Sequence, residues 1–225
     1  MKYLFLLLIF PCYCTAQKNI VNIQLTIQDS HPAQTAVLIQ NGNQQAFPIT
    51  DNKVTIADTI DHPMLVSLII MYKGWNPRRN YYSLYLSPGN TTIQVVTDKD
   101  SMQYLDVSGP ELTADFQNKL ENPVFRIGLR ISALQTALQK NGPDSLQLNT
   151  QLNKELAQSF ATARDYIRQH PNSPLSLIAL TMMGEGDPTI PNPKEDLATL
   201  YQSLTPAIKN SEEGRKYLEQ PKDLK

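Results

Sequence analysis

The spacing of apolar residues along the chain changes once, near Gly109. Before that point most apolar residues recur at every second position. Val21, Ile23, Leu25 and Ile27 alternate with polar residues, which is typical of a strand with one wet face. Shorter runs of the same kind predict further strands at 35–40, 45–49, 54–60, 64–71, 81–86, 91–97 and 104–107.

Turn-forming residues separate these runs at 41–43, 51–52, 62–63 and 87–90. Seven or eight short strands with no helical stretch between them predict an antiparallel β-sandwich over residues 17–108. The run 65–71 is apolar at successive positions, so both of its faces are apolar, which is typical of a central strand.

After Gly109 the apolar residues recur every three or four positions, which predicts a helical domain over 109–225. One stripe runs from Ile127 to Leu138, and a longer one runs from Leu148 to Ile167. The longer stripe either covers the sheet or meets a second chain, and the pattern leaves both readings open. Since no 34-residue repeat is present, a compact bundle is favoured over a solenoid. The predicted fold class is α+β, an N-terminal sandwich followed by a C-terminal helical bundle.

Two helix starts have the residue pairs of a capping box, Asp144 with Gln147 and Asn192 with Glu195. The pair Asn210 with Glu213 suggests one more start near the C-terminus. In this motif the first side chain accepts a hydrogen bond from a backbone N–H of the first turn. We therefore expect helices to begin near 145, 193 and 211.

The first sixteen residues resemble an export signal. Lys2 precedes the apolar run 4–10, and small residues lead up to Ala16. The run is too short to span a bilayer, which takes roughly 20 apolar residues. We predict cleavage after Ala16 and a periplasmic or cell-envelope location. A lipoprotein is the disfavoured alternative, because neither Cys12 nor Cys14 follows a small residue.

Composition narrows the chemistry that the exported chain could perform. Its two cysteines, Cys12 and Cys14, both lie in the predicted signal, so the mature chain would carry no thiol for a disulfide, a metal or a redox cycle. The formal net charge of −1 over 225 residues argues against a nucleic-acid binder held by a basic surface.

No residue pattern indicates catalysis. His31, His62 and His170 each precede a proline, which favours extended or turn geometry, and no pair has the spacing of a helical zinc site. The acidic residues are dispersed, and Glu111 with Asp115 is explained by a helix start. The nucleophile elbow, the phosphate loop and the dinucleotide fingerprint are missing from the sequence. We therefore predict no enzyme, with no catalytic, cofactor-binding or metal-ligating residue.

One segment between two predicted strands is a candidate for partner or ligand binding. It contains Trp75, Arg78, Arg79 and Tyr81, and aromatic faces beside arginine donors are common where proteins meet partners. The structural alternative is that Trp75 folds over the end of the sandwich and that the arginines discourage strand-to-strand association.

Four segments resemble a domain of unknown function that precedes thioredoxin-like domains of the TlpA/ResA type in Bacteroidota. They are LSPGNTTI at 86–93, VSGP at 107–110, IRQHPNSPLS at 167–176 and KNSEEGRKYL at 209–218. The resemblance implies a two-part accessory region. In such proteins a Cys-x-x-Cys domain would begin shortly after the position of Lys225, and its dithiol chemistry has no counterpart in this sequence.

Three hypotheses follow for the function. The first is an exported, non-catalytic module of the envelope that binds a protein partner or an envelope component. The second is the accessory half of a split or truncated thiol-disulfide oxidoreductase. The third, weaker hypothesis is a glycan-binding sandwich.

Overall fold

The computed structural model describes residues 19–29, 32–72, 81–97, 103–141, 145–184 and 194–219. The predicted export signal lies outside these residues. The N-terminal part contains eight strands: β1 Asn19–Ile27, β2 Ala33–Gln40, β3 Asn43–Pro48, β4 Lys53–Ile60, β5 Met64–Tyr72, β6 Tyr81–Leu86, β7 Gly89–Thr97 and β8 Gln103–Ser108. They form two four-stranded sheets with the orders β4-β1-β7-β8 and β3-β2-β5-β6.

The prediction that all the strands are antiparallel is wrong for one pair. β1 and β7 run parallel, with Val21 opposite Gly89 and Ile27 opposite Val95. After β6 the chain crosses to the first sheet and enters it beside β1 in the same direction. Two parallel neighbours must be joined by a long connection, and in this chain the connection consists of β2 to β6. The predicted turn at 87–90 is also too long, because Gly89 and Asn90 already pair with β1.

The inward faces of both sheets contribute to one apolar cluster. It includes Ile23 of β1, Leu38 of β2, Leu68 of β5 and Leu105 of β8, each almost fully buried. Fully burying such a side chain stabilises the fold by about 1.5–3 kcal/mol. The alternation predicted for β1 is confirmed, since Val21, Ile23, Leu25 and Ile27 are all buried.

The predicted change of structure at Gly109 is confirmed, and the backbone explains why glycine lies there. β8 ends at Ser108 and the first helix, α1 Glu111–Asp115, begins two residues after Gly109. Gly109 has φ 147°, and a Cβ added to it would lie 2.7 Å from the carbonyl oxygen of Asn90. Both the conformation and the close approach to β7 favour glycine.

The remaining chain is helical. A π-helical segment, Phe116–Glu121, follows α1, and then come α2 Asn122–Asn141, α3 Leu146–Gln169, α4 Leu175–Gly184, α5 Lys194–Ser203, α6 Pro206–Lys209 and α7 Glu212–Glu219. A second apolar cluster joins Leu120, Ile167 and Leu180, and Tyr85 of β6 belongs to it too. The buried part of the α3 stripe, which includes Ile167, therefore lies among the helices.

The three predicted helix starts are confirmed within one or two residues, at Leu146, Lys194 and Glu212. Asn192 lies outside the described residues, and at the other two starts the capping residue differs from the prediction. Ser145 caps α3 through its side chain, and Asp144 lies outside the described residues. At α7 the hydroxyl of Ser211, and not the side chain of Asn210, accepts a hydrogen bond from the N–H of Gly214 at 3.0 Å. Serine caps a helix about as well as asparagine or aspartate, so the sequence alone does not decide which of two neighbouring residues is the cap.

The π-helical segment lies against two edge strands, β6 of one sheet and β8 of the other. Asn118 Nδ2 donates to the carbonyl oxygen of Val107 at 3.1 Å, and Asn122 Nδ2 donates to that of Leu105 at 2.7 Å. These bonds satisfy carbonyl groups of β8, whose unpaired edge would otherwise be open to another strand.

Candidate functional site

The structure describes one of the four residues of the predicted binding segment. Trp75, Arg78 and Arg79 lie outside the described residues. Tyr81 is the first residue of β6 and pairs with Ile69 of β5. The neighbouring Tyr82 points in the opposite direction, into the core, so the two adjacent tyrosines serve different surroundings.

Tyr81 lies on the outward face of the sheet β3-β2-β5-β6. Its side chain is 52% exposed, and its hydroxyl is hydrogen-bonded to the hydroxyl of Ser67 on β5. This bond holds the end of the Tyr81 side chain against β5, while about half of the residue stays exposed. An aromatic ring held in this way presents apolar area with little loss of conformational entropy on binding.

The outward face around Tyr81 is apolar. We call the residues Val37, Ile39, Leu65, Ile69, Met71 and Tyr81 the Tyr81 face, since strand pairing places them on one side of the sheet. Leu65 is 49% exposed and Met71 is 42% exposed. The other described residues that strand pairing places on this side are uncharged too: Thr35, Gln44, Ala46, Pro48, Ser67, Ser83 and Tyr85. Exposed apolar side chains gathered on one face of a sheet are common at interaction sites.

Described helices pack against the Tyr81 side of this sheet at β6. Tyr85 of β6 is buried, and its ring packs 6.1 Å from the ring of Phe116, centroid to centroid. Burial, helped by the charge of Glu213, raises the pKa of Tyr85 to about 12. On the neighbouring strand β5, Leu65, which pairs with Tyr85, and Met71 stay exposed.

A polar cluster lies near Tyr72, the last residue of β5. The hydroxyl of Tyr82 donates to Gln103 Oε1 at 3.4 Å, and Gln103 Nε2 donates to Asp29. Tyr72 interacts electrostatically with Asp29. Burial raises the pKa of Tyr72 to about 12, with the charge of Asp29 adding to it, and burial also raises the pKa of Tyr82. Both hydroxyls stay protonated near neutral pH, so they act as hydrogen-bond donors and not as bases.

The histidines and acidic residues considered in the sequence lie in turns, at helix ends or in ion pairs. His62 lies in the turn between β4 and β5, and His170 ends α3 with its ring 4.6 Å from that of Tyr166. Asp115 is paired with Lys119 at 2.8 Å. Among the described residues, no three His, Cys, Asp or Glu side chains lie close enough to hold a metal ion. None of the described helices is both long and apolar enough to cross a membrane.

Comparison of the chain with known protein families and with curated proteins found no match. The resemblance to the domain that precedes thioredoxin-like domains therefore stays a prediction.

Sequence reasoning proposed Tyr81 as a binding residue but did not predict the surface around it. The signal was present in the run 65–71, whose apolar residues on both faces indicated a central strand. β5 is indeed central in its sheet. Its second face, however, is left partly exposed at Leu65 and Met71 instead of being buried.

Proposed function

We propose that the protein is an exported, non-catalytic interaction module of the bacterial envelope that binds a protein partner through the Tyr81 face. In this proposal the two sheets pack as a sandwich and the helices form a bundle along its β6 and β8 edges. The observation that supports it most is the uncharged, apolar outward face of a sheet whose other face already supplies the core.

The contribution of the Tyr81 face to the binding free energy follows from how much of its side chains is exposed. Leu65, Met71 and Tyr81 are each about half exposed. Burying the exposed half of such a side chain contributes about 1 kcal/mol, so the three together contribute roughly 3 kcal/mol to binding. Apolar anchors at the centre of an interface commonly supply most of its affinity, while the surrounding contacts exclude water.

The test is capture of partners from an envelope extract by the immobilised mature protein, with quantitative mass spectrometry of what is retained. Leu65→Lys and Met71→Lys place a charge on the Tyr81 face. Ile20→Lys is the matched control, because Ile20 is 57% exposed on the outward face of the other sheet. Trp75→Ala and Arg79→Ala test whether the adjoining predicted segment takes part.

We expect a retained protein whose recovery falls at least tenfold with either lysine on the Tyr81 face and stays unchanged with Ile20→Lys. Equal loss with the control, or no retained protein under any condition, would contradict the proposal. Recovery of a thioredoxin-like protein would support the accessory-half hypothesis. Binding on a glycan array that Tyr81→Ala abolishes would favour the glycan hypothesis instead.

A further inference from the structure

The strand β3 is one edge of its sheet. Among the described strands only β2 pairs with it, so the other side of β3 is an unpaired edge within the part of the chain that the structure describes. Every residue of β3 except Phe47 is exposed, and its sequence NQQAFP contains no charged side chain. A flat, uncharged edge of this kind is a template on which another strand can form hydrogen bonds.

The other three sheet edges are protected against such pairing. Described helices pack against β6 and β8, and Asn118 and Asn122 donate hydrogen bonds to carbonyl groups of β8. On β4, Lys53 is exposed, and strand pairing places the carboxyl-bearing residue Asp58 on the inward side. Lysines and inward-pointing charges are common devices against edge-to-edge association. Of such devices β3 has only Pro48, at its last position.

The backbone groups that β3 directs away from β2 can be identified from the ladder. The N–H of Ile49 donates to the carbonyl oxygen of Gln34 at 2.9 Å, so every second residue from Ile49 back along β3 directs its backbone groups towards β2. Antiparallel ladders alternate in this way. Gln44 and Ala46 therefore direct their N–H and C=O groups away from β2.

These outward groups are complementary to those of a second, antiparallel β3. With Gln45 opposite Gln45 of the second copy, Gln44 of each copy lies opposite Ala46 of the other. Each of these two pairs exchanges two N–H···O=C bonds, so both outward N–H groups of each copy are used. Pro48, which has no N–H, falls outside both pairs, and no like charges meet across the contact.

We propose that two copies of this chain pair edge to edge through β3, antiparallel and with two-fold symmetry about Gln45. Contact between identical surfaces is the commonest way in which proteins form dimers. A contact along one short strand is small, so the dimer is reversible and its fraction rises with protein concentration.

The pairing has a consequence for the outer surface of the sheet. Gln44 and Ala46 lie on the same side of the sheet as the Tyr81 face. A two-fold axis perpendicular to the sheet keeps this side common to both copies, so the two Tyr81 faces lie on one side of a continuous eight-stranded sheet. The pairing itself does not depend on the partner-binding function proposed above, because it uses only the backbone of β3.

The first test is disulfide trapping in the mature protein. The chain from Gln17 onwards contains no cysteine, so Gln45→Cys introduces a single thiol. In the proposed register the two Cα atoms at this position lie about 4.5 Å apart, within the span of a disulfide. We expect mild oxidation to convert most of Gln45→Cys into a linked dimer. Thr55→Cys, at an exposed position on the edge strand β4, is the matched control and should stay mostly monomeric. Equal linking of the two variants would overturn the proposal.

The second test is sedimentation equilibrium over a range of concentrations. Ala46→Pro removes an N–H that is directed away from β2, so the ladder inside the chain is kept while two of the four bonds between copies are lost. We expect it to weaken association by roughly 30-fold. Ala46→Ser keeps the N–H and should associate like the wild type. A wild type that stays monomeric at every concentration, or a dimer that Ala46→Pro leaves unchanged, would overturn the proposal.

Discussion

The backbone at Gly109 leads to a stability prediction that can be worked through with two internal controls. Gly109 connects β8 to α1 with φ 147°, in a region that side-chain-bearing residues rarely adopt. In Gly109→Ala the new Cβ would lie 2.7 Å from the carbonyl oxygen of Asn90 and 3.0 Å from the Cα of Thr91. Both of these atoms belong to the backbone of β7, so neither can move aside as a flexible side chain would.

Two costs add for this substitution. Holding alanine at a positive φ costs about 1–3 kcal/mol. Forcing a methyl group into a packed site costs about 1–3 kcal/mol more. We therefore expect Gly109→Ala to lower the free energy of unfolding by about 4 kcal/mol, a large fraction of the stability of an ordinary domain.

Two other glycines separate these costs. Gly42 has φ 78°, but a Cβ added there meets no atom within 4 Å, so Gly42→Ala should cost only the strain of about 1–2 kcal/mol. Gly128 is exposed within α2 and also has open space, so Gly128→Ala should stabilise the protein by about 0.5–1 kcal/mol. The assay is guanidinium unfolding followed by circular dichroism. A loss in Gly109→Ala no larger than that in Gly42→Ala would refute the close-approach argument.

Three further predictions use the same unfolding assay. Burial raises the pKa of Glu121 from 4.5 to about 7, so the stability that its neutral form contributes is fully present below pH 4.5 and is lost as the pH rises to 7. Across that range the free energy of unfolding of the wild type should fall by about 3 kcal/mol relative to that of Glu121→Gln. Parallel pH profiles of the two proteins would contradict this. Gly214→Ala places a Cβ 2.2 Å from the carbonyl oxygen of Ile208, so it should cost about 2 kcal/mol and expose α7 to proteolysis; intact protection of α7 would count against it. Asn122→Ala removes the 2.7 Å hydrogen bond to β8 and should cost about 1–2 kcal/mol, whereas a neutral result would show that water replaces it.

Periodicity predicted most of the fold because it reports which side of an element is buried. The strand alternation and the change at Gly109 follow directly from that rule. The parallel pairing of β1 with β7 could not be predicted in this way, because nothing in the alternation of Val21 to Ile27 states which strand lies alongside. Pairing depends on the route that the chain takes after β6, and the long crossover leaves no local signal.

The limits of the site prediction have a similar cause. An aromatic and basic segment is visible along the chain, and Tyr81 was proposed as a binding residue on that basis. The Tyr81 face combines residues from β2, β5 and β6, so it exists only once the register is known. The cluster around Gln103 is harder still to predict, because Asp29 lies 74 residues away in sequence.

Two of the segments that carry the resemblance to thioredoxin-associated domains meet in space. Gly89 and Gly109 both have positive φ, and a Cβ on Gly89 would lie 3.2 Å from Pro110 Cγ, just as one on Gly109 would meet Asn90. The glycines are therefore needed for a close crossing of two backbones where β7 begins and the helices start. Any protein with this close backbone crossing needs glycines there, whatever it binds. These two motifs therefore indicate a shared architecture and do not indicate a particular activity. The function is better sought on the Tyr81 face, where apolar side chains remain exposed although folding would have favoured their burial.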